Sequence, residues 1–241
     1  MSAFSELLER TPLEPEYAYL TEDPSATARW LRVGFNGFCW SLFNLWCPLT
    51  AVGRERLPKP PFVLCSNHSS HMDSAALMWA SGLGIDRFGM LAAKDYFFDN
   101  KRRKSFLPLL MNLIPAERQT NRHAITRFLV ACRAFVRFRE RCLIIYPEGT
   151  RSVTGQMAPF RRGAAMVAVE LGLPLVPAYV CGTFKAIPKG SNLVRPTRLT
   201  VTFGDSVDYK QFSAATASAQ YDAVNAELER RVHQLASTHA H

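Results

Sequence analysis

The sequence predicts an α/β fold: a single domain with a mostly parallel, twisted sheet flanked by helices. Two observations predict it. Segments such as Phe62–Cys65 and Cys142–Tyr146 are short and almost wholly apolar, the pattern of strands covered on both faces. They alternate with stretches whose apolar residues recur at helical spacing, and that alternation asks for crossover helices between parallel strands. With 241 residues, 48% of them hydrophobic, the chain is long enough to bury one such core with appendages.

The elements follow in order. Met1 to Ala28 carries three prolines and few periodic apolar positions, so a loosely structured tail is expected. Val33 to Thr50 holds no charge and is rich in Trp and Phe. It is too short and polar-flecked for a span of about 20 apolar residues. Aromatics beside Gly and Asn instead suit a helix lying in a membrane interface, with Arg29 and Arg32 near headgroups. The alternative is a greasy helix packed on the domain. Residues 1–51 therefore read as a tail and an aromatic membrane-associating segment, 52–212 as the α/β domain, and 213–241 as a helix docking on it.

Within the domain, Val52 to Pro60 is a basic connector. Phe62–Cys65 is a strand, and a helix runs to about Ser81, where Gly82 and Gly84 punctuate its end. Phe88–Ala93 is a second strand, and Lys101-Arg102-Arg103-Lys104 a cationic loop able to meet anions. Leu109–Ala116 is strand-like and delivers Arg118 to its end. From Arg122, the positions Ile125, Phe128, Leu129, Cys132, Phe135 and Val136 form the apolar face of a helix whose arginines line a solvated side. Cys142–Tyr146, Leu175–Val180 and Leu199–Phe203 complete the strands. Ala164–Leu171 is a small-residue helix, and Val224, Leu228, Val232 and Leu235 stripe the terminal one.

Composition narrows the function classes. A net charge of +9, from 29 Lys and Arg against 20 Asp and Glu, suits phosphates, anionic headgroups or acidic carrier proteins. The basic residues are dispersed and no recognised nucleic-acid module is present, so nucleic acid is not expected as a partner. Six scattered cysteines without a C-x-x-C pair argue against a zinc site or a disulfide framework and suit a reducing cytoplasm. The acidic, polar first twenty residues do not read as a secretory signal.

The chemistry concentrates where strands end. His68 and Asp73 sit where the first strand hands over to a helix. Five residues of helix are about 500° of rotation, so the two do not share a helical face. With His68 in the turn and Asp73 in the first helical turn, the acid reaches back to one imidazole nitrogen and frees the other as a base. Ser69 or Ser70 suits the N-cap. On its own, the pair also fits a capped helix with a satisfied polar histidine. Arg118 and the run Glu148-Gly149-Thr150-Arg151 end two other strands, and ends of parallel strands converge on one crevice. Arginine's planar fork matches phosphate oxygens.

Asn67-His68-Ser69-Ser70-His71-Met72-Asp73 resembles the NHxxxxD signature of the glycerolipid acyltransferases, the lysophosphatidate acyltransferase (PlsC-like) superfamily. Tyr146–Ser152 is similar to its (F/Y)PEGTRS block. Phe160-Arg161-Arg162-Gly163 resembles its F(K/R)(K/R)G block and Val176–Val180 its VPxxI-like strand. Leu113–Arg118 resembles the block ending in arginine more loosely, with Ala116-Glu117 where a small residue and Asp are frequent. The blocks stand in family order from about Val52 to Val207.

The resemblance implies an O-acyltransferase moving a fatty acyl group from acyl-CoA or an acyl carrier protein to a lysophospholipid hydroxyl, foremost that of 1-acyl-glycerol-3-phosphate, giving phosphatidic acid. It implies His68 as general base, Asp73 as its orienter, and Arg118, Glu148, Gly149, Thr150 and Arg151 as acceptor-binding residues. No metal or redox cofactor is implied, and the expected place is the cytoplasmic face of a membrane, peripheral or shallowly inserted. Other acceptors, such as lyso-ornithine lipids, share these motifs. A metal-dependent hydrolase built on His68, His71 and Asp73 lacks the paired spacing of a helical zinc site. A lipid-binding protein without catalysis leaves the ordered motifs unexplained.

Overall fold

Seven strands form one sheet in the order β1-β7-β6-β2-β5-β3-β4. They are β1 (Leu49–Val52), β2 (Val63–Ser66), β3 (Phe88–Ala93), β4 (Asn112–Ala116), β5 (Cys142–Ile145), β6 (Leu175–Cys181) and β7 (Leu199–Phe203). The computed structural model describes residues 4–93, 109–116, 121–188, 190–191, 193–212 and 214–239. Strands β2 to β6 run parallel, and β7 turns back antiparallel to β6 with β1 parallel beside it. The mostly parallel sheet expected from the apolar strands is thus present. Strand β1 lies where the sequence suggested the end of a membrane segment and the start of a connector. It has only four residues and alternates half-buried with exposed positions, a weak signal without its partner β7.

Helices cover both faces. On one lie α4 (Arg122–Arg137), α5 (Gly163–Leu171) and α7 (Ala217–Ser237), which bury Leu129, Phe135, Val167, Val224, Leu228 and Val232. On the other, α3 (Met72–Ser81) packs with the end of α2 (Ala26–Ser41) and its π-helical turn Leu42–Trp46, around Phe43, Phe62, Leu77 and Phe88. Gly82 closes α3 in the left-handed conformation, as its position suggested. A four-residue helix α6 (Thr183–Ala186) follows β6.

The N-terminal stretch is more ordered than the prolines suggested. It forms α1 (Ser5–Arg10) and a 3-10 helix Pro15–Thr21, and it sinks Leu8, Tyr17 and Leu20 into the core. Its acids also cover the side of α4 expected to be solvated. Glu9 meets Arg133 and Arg137, each at 3.1 Å, and Glu14 and Glu16 meet Arg127. Exposed pairs of this kind contribute little, so the three buried apolar side chains do most of the anchoring.

In α2, Arg32 departs from the headgroup position expected of it. It is buried, pairs with Asp86, and donates to the Asn112 side chain at 3.1 Å and the Leu109 carbonyl at 3.0 Å. Asp86 and Asn112 lie 54 and 80 positions further along the chain, which helical periodicity does not register. Exposed aromatics nonetheless remain on α2 and its turn, from 52% for Trp46 to 77% for Trp30. Among the described residues, no helix is long and apolar enough to cross a membrane. The Lys101–Lys104 run and Arg118 lie outside the described residues.

Candidate active site

Strands β6, β2 and β5 are sheet neighbours pointing the same way, so their carboxyl ends deliver three loops to one crevice. Asn67 fastens the first loop to the third strand. Its side-chain N–H donates to the Val180 carbonyl at 3.0 Å and its oxygen accepts from the Val180 N–H at 2.8 Å. That double bond to the backbone extends the ladder by one side chain and sets where His68 begins.

The His68 Nδ1 lies 2.9 Å from Asp73 Oδ2, the reach-back the spacing predicted. The same oxygen accepts the Ser69 and Ser70 backbone N–H groups at 2.7 and 2.8 Å. The start of α3 is therefore tied by Asp73 from within its first turn. The N-cap residue is His71, with no side-chain capping bond, where Ser69 or Ser70 was expected. Asp73 is fully buried while the imidazole is 19% exposed, so a substrate reaches the base and not the acid. With Nδ1–H donated to Asp73, Nε2 keeps its lone pair.

Glu148 turns toward the main chain of its own loop and of the His68 loop. It is buried, its Oε1 accepting the His68 backbone N–H at 2.6 Å and its Oε2 the Ala158 N–H at 2.9 Å. Burial pushes its carboxyl above the usual range, against the pull of those two N–H groups. Ser152 N–H in turn donates to the His68 carbonyl at 2.8 Å. The loop after β5 thus grips the main chain of the base from both sides.

These bonds also remove candidates for stabilising an oxyanion. The N–H groups of His68, Ser69 and Ser70 are taken by carboxylates, and that of Gly149 by the Tyr146 carbonyl. Gly149 turns the chain at φ +74°, a conformation that favours glycine, and a Cβ there would sit 3.4 Å from the Arg161 guanidinium. Thr150, next in the chain, is exposed and Arg151 half-buried. Arg161 thereby joins the turn, whereas Arg162 faces α7, bonding Ser218.

The serines of the motif serve as ties. Ser69 Oγ lies 3.2 Å from Thr183 Oγ1, and Ser70 Oγ donates to the Ile187 carbonyl at 2.9 Å. Cys65 is fully buried and burial pushes its thiol well up, so it packs as an inert side chain of β2. Among the described residues, no group of three or more His, Cys, Asp or Glu side chains is placed to hold a metal ion. Sequence reasoning named Tyr146 only as the end of a strand and the first residue of the (F/Y)PEGTRS-like block and gave it no role; its ring stacks on His68 with centroids 3.8 Å apart. Its adjacency to the Pro147-Glu148 turn was the available signal.

The parallel α/β sheet carries a histidine–aspartate pair at one strand end and a glycine–arginine turn at the next, the arrangement that the resemblance to glycerolipid acyltransferases led us to expect. The family profile described as Acyltransferase matches residues 49–181, and the chain belongs to that family. It is similar to 1-acyl-sn-glycerol-3-phosphate acyltransferases of Cocos nucifera (33% identical over 68% of this chain and 50% of that protein) and Limnanthes alba (32% over 65% and 53%). The chain spans about half the length of these relatives. A solved structure titled as the 1-acyl-sn-glycerophosphate (LPA) acyltransferase PlsC of Thermotoga maritima shares the fold. Its TM-score is 0.61 and its identity 22%, over 90% of this chain and 85% of that one.

Proposed function

We propose that the chain transfers a fatty acyl group from an acyl thioester, acyl-CoA or acyl carrier protein, to the free hydroxyl of 1-acyl-glycerol-3-phosphate, giving phosphatidic acid. The observation that carries the reading is the His68–Asp73 pair at 2.9 Å, with a buried acid and a reachable ring. Relatives named as 1-acyl-sn-glycerol-3-phosphate acyltransferases support the acceptor.

In this reading Nε2 takes the proton of the acceptor hydroxyl as its oxygen attacks the thioester carbonyl carbon. Asp73 stabilises the imidazolium that forms. The tetrahedral intermediate collapses with cleavage of the C–S bond, and Nε2 returns the proton to the departing thiolate. No acyl-enzyme forms. Thr150 and Arg151, with Arg118 by resemblance, hold the acceptor's phosphate and glycerol, and the Gly149 turn lets Arg161 stand beside them. Glu148 serves the acceptor indirectly, by holding the His68 main chain. Substrates of this kind partition into bilayers, and the exposed aromatics of α2 support a peripheral seat on a membrane; the face we propose is the cytoplasmic one.

The test is thiol release from acyl-CoA and acyl carrier protein by membrane-reconstituted protein offered a panel of lysolipids. Acceptor-dependent release, strongest with lysophosphatidate and lost in both His68→Ala and Asp73→Ala, is the expected result. Best turnover with a lyso-ornithine lipid would reassign the acceptor. Undiminished turnover by His68→Ala, in protein free of host enzyme, would sink the mechanism. Vesicle binding without any release would leave a lipid-binding protein.

A further inference from the structure

We infer that Tyr146 is a positioning residue for His68: its ring fixes the plane of the imidazole and stabilises that ring once it is protonated. The inference rests on the general-base reading above. Tyr146 directly follows β5, and its ring lies on His68 with centroids 3.8 Å apart and planes 11° from parallel. Two neutral rings avoid so direct a face-to-face overlap, because their negative faces repel; a cation over the same face is attracted. The arrangement therefore suits imidazolium better than imidazole.

The phenol is anchored as well. Its hydroxyl lies 2.7 Å from Ser74 Oγ, on the first turn of α3 and next to Asp73. Burial and the Asp73 charge push the phenol far up, so it remains a neutral hydrogen-bonding group across the working pH range. Asp73 grips the imidazole at Nδ1, along the ring's edge, and Tyr146 covers its face. Edge and face contacts together leave one orientation, which aims the Nε2 lone pair. Because the imidazolium forms only as the acceptor hydroxyl surrenders its proton, the stack strengthens toward the transition state. Such an interaction raises turnover rather than substrate affinity.

The test compares wild type, Tyr146→Leu and Tyr146→Phe by NMR titration of the His68 ring protons and by steady-state kinetics. The titratable groups facing the imidazole include Asp73 from α3, Tyr146 itself and Glu148, which holds the His68 main chain and also feels the imidazole's charge. Only Tyr146 changes in this series. Tyr146→Leu is expected to lower the His68 titration midpoint, move the acidic limb of kcat/KM to lower pH, and reduce kcat about tenfold with KM within about twofold. Tyr146→Phe keeps the stack and stays near wild type in all three.

An unmoved midpoint and an undiminished kcat in Tyr146→Leu would overturn the inference. So would a phenylalanine variant as impaired as the leucine one, which would transfer the role to the hydroxyl and Ser74. If the leucine variant fails to fold, Tyr146→Met replaces it. Failure of the wild-type protein to release thiol would remove the proposed reaction, while the ring titration would still decide whether Tyr146 stabilises the charged imidazole.

Discussion

At the scale of the residue, the site is a set of carboxylates assigned to different partners. Asp73 spends one oxygen on the imidazole and two backbone N–H groups; Glu148 spends both oxygens on the main chain of two loops. The distinction predicts different losses. Glu148→Gln turns an acceptor into an –NH2 that must face an N–H donor, whichever way the amide lies. A buried unsatisfied donor costs about 1–3 kcal/mol, so melting is expected to fall by a few °C, about 2–4 °C per kcal/mol at this size. Turnover falls with it, because His68 loses its grip. Asp73→Asn keeps an acceptor for Ser69 and Ser70 but loses the charge facing imidazolium. It should lower kcat by about a hundredfold or more with a smaller change in melting. Thermal denaturation beside kinetics separates the two; equal melting for Glu148→Gln and wild type would remove the brace.

At the scale of the element, the periodic helices carry the core. The stripe read on the terminal helix is buried at Val224, Leu228 and Val232, where α7 packs on the face shared with α4 and α5. Leu228→Ala is expected to cost about 2–5 kcal/mol by removing methylenes from a closed site. Denaturant unfolding measures it, and a change below about 1 kcal/mol would mean that α7 is loosely docked. The β5 segment was legible from its apolar run. The grip its following loop exerts on His68 was not, because the Glu148–His68 bond spans 80 positions of chain. Likewise the arginines of α4 read as a solvated face, since a helical pattern contains no record of the acids Glu9, Glu14 and Glu16 that cover it.

At the scale of the whole molecule, the N-terminal region is both part of the core and the bearer of an exposed aromatic face. Deleting it would remove Leu8, Leu20 and Phe43 from the interior and β1 from the sheet, so truncation would confound membrane attachment with unfolding. Point changes on the exposed face avoid this. Replacing Trp30 and Trp40 by Ser is expected to weaken sedimentation with anionic vesicles severalfold while melting stays within a few °C. Unchanged sedimentation would assign that face another use.

By itself the sequence determined strands β2 to β7 with helices α3, α4, α5 and α7 among them, the mostly parallel class of the sheet, and the reach of Asp73 back to His68. Each depends on local pattern: apolar runs, helical period, and a five-residue separation across a helix start. The tertiary structure alone decided that β1 joins the sheet through β7, that Arg32 turns inward to Asp86, and that Asn67 fastens its loop to Val180. It alone laid Tyr146 over His68 and turned Glu148 toward its main chain. These contacts join residues some 50 to 150 positions apart. Local propensity does not encode such pairings; burial of the shared core brings them together.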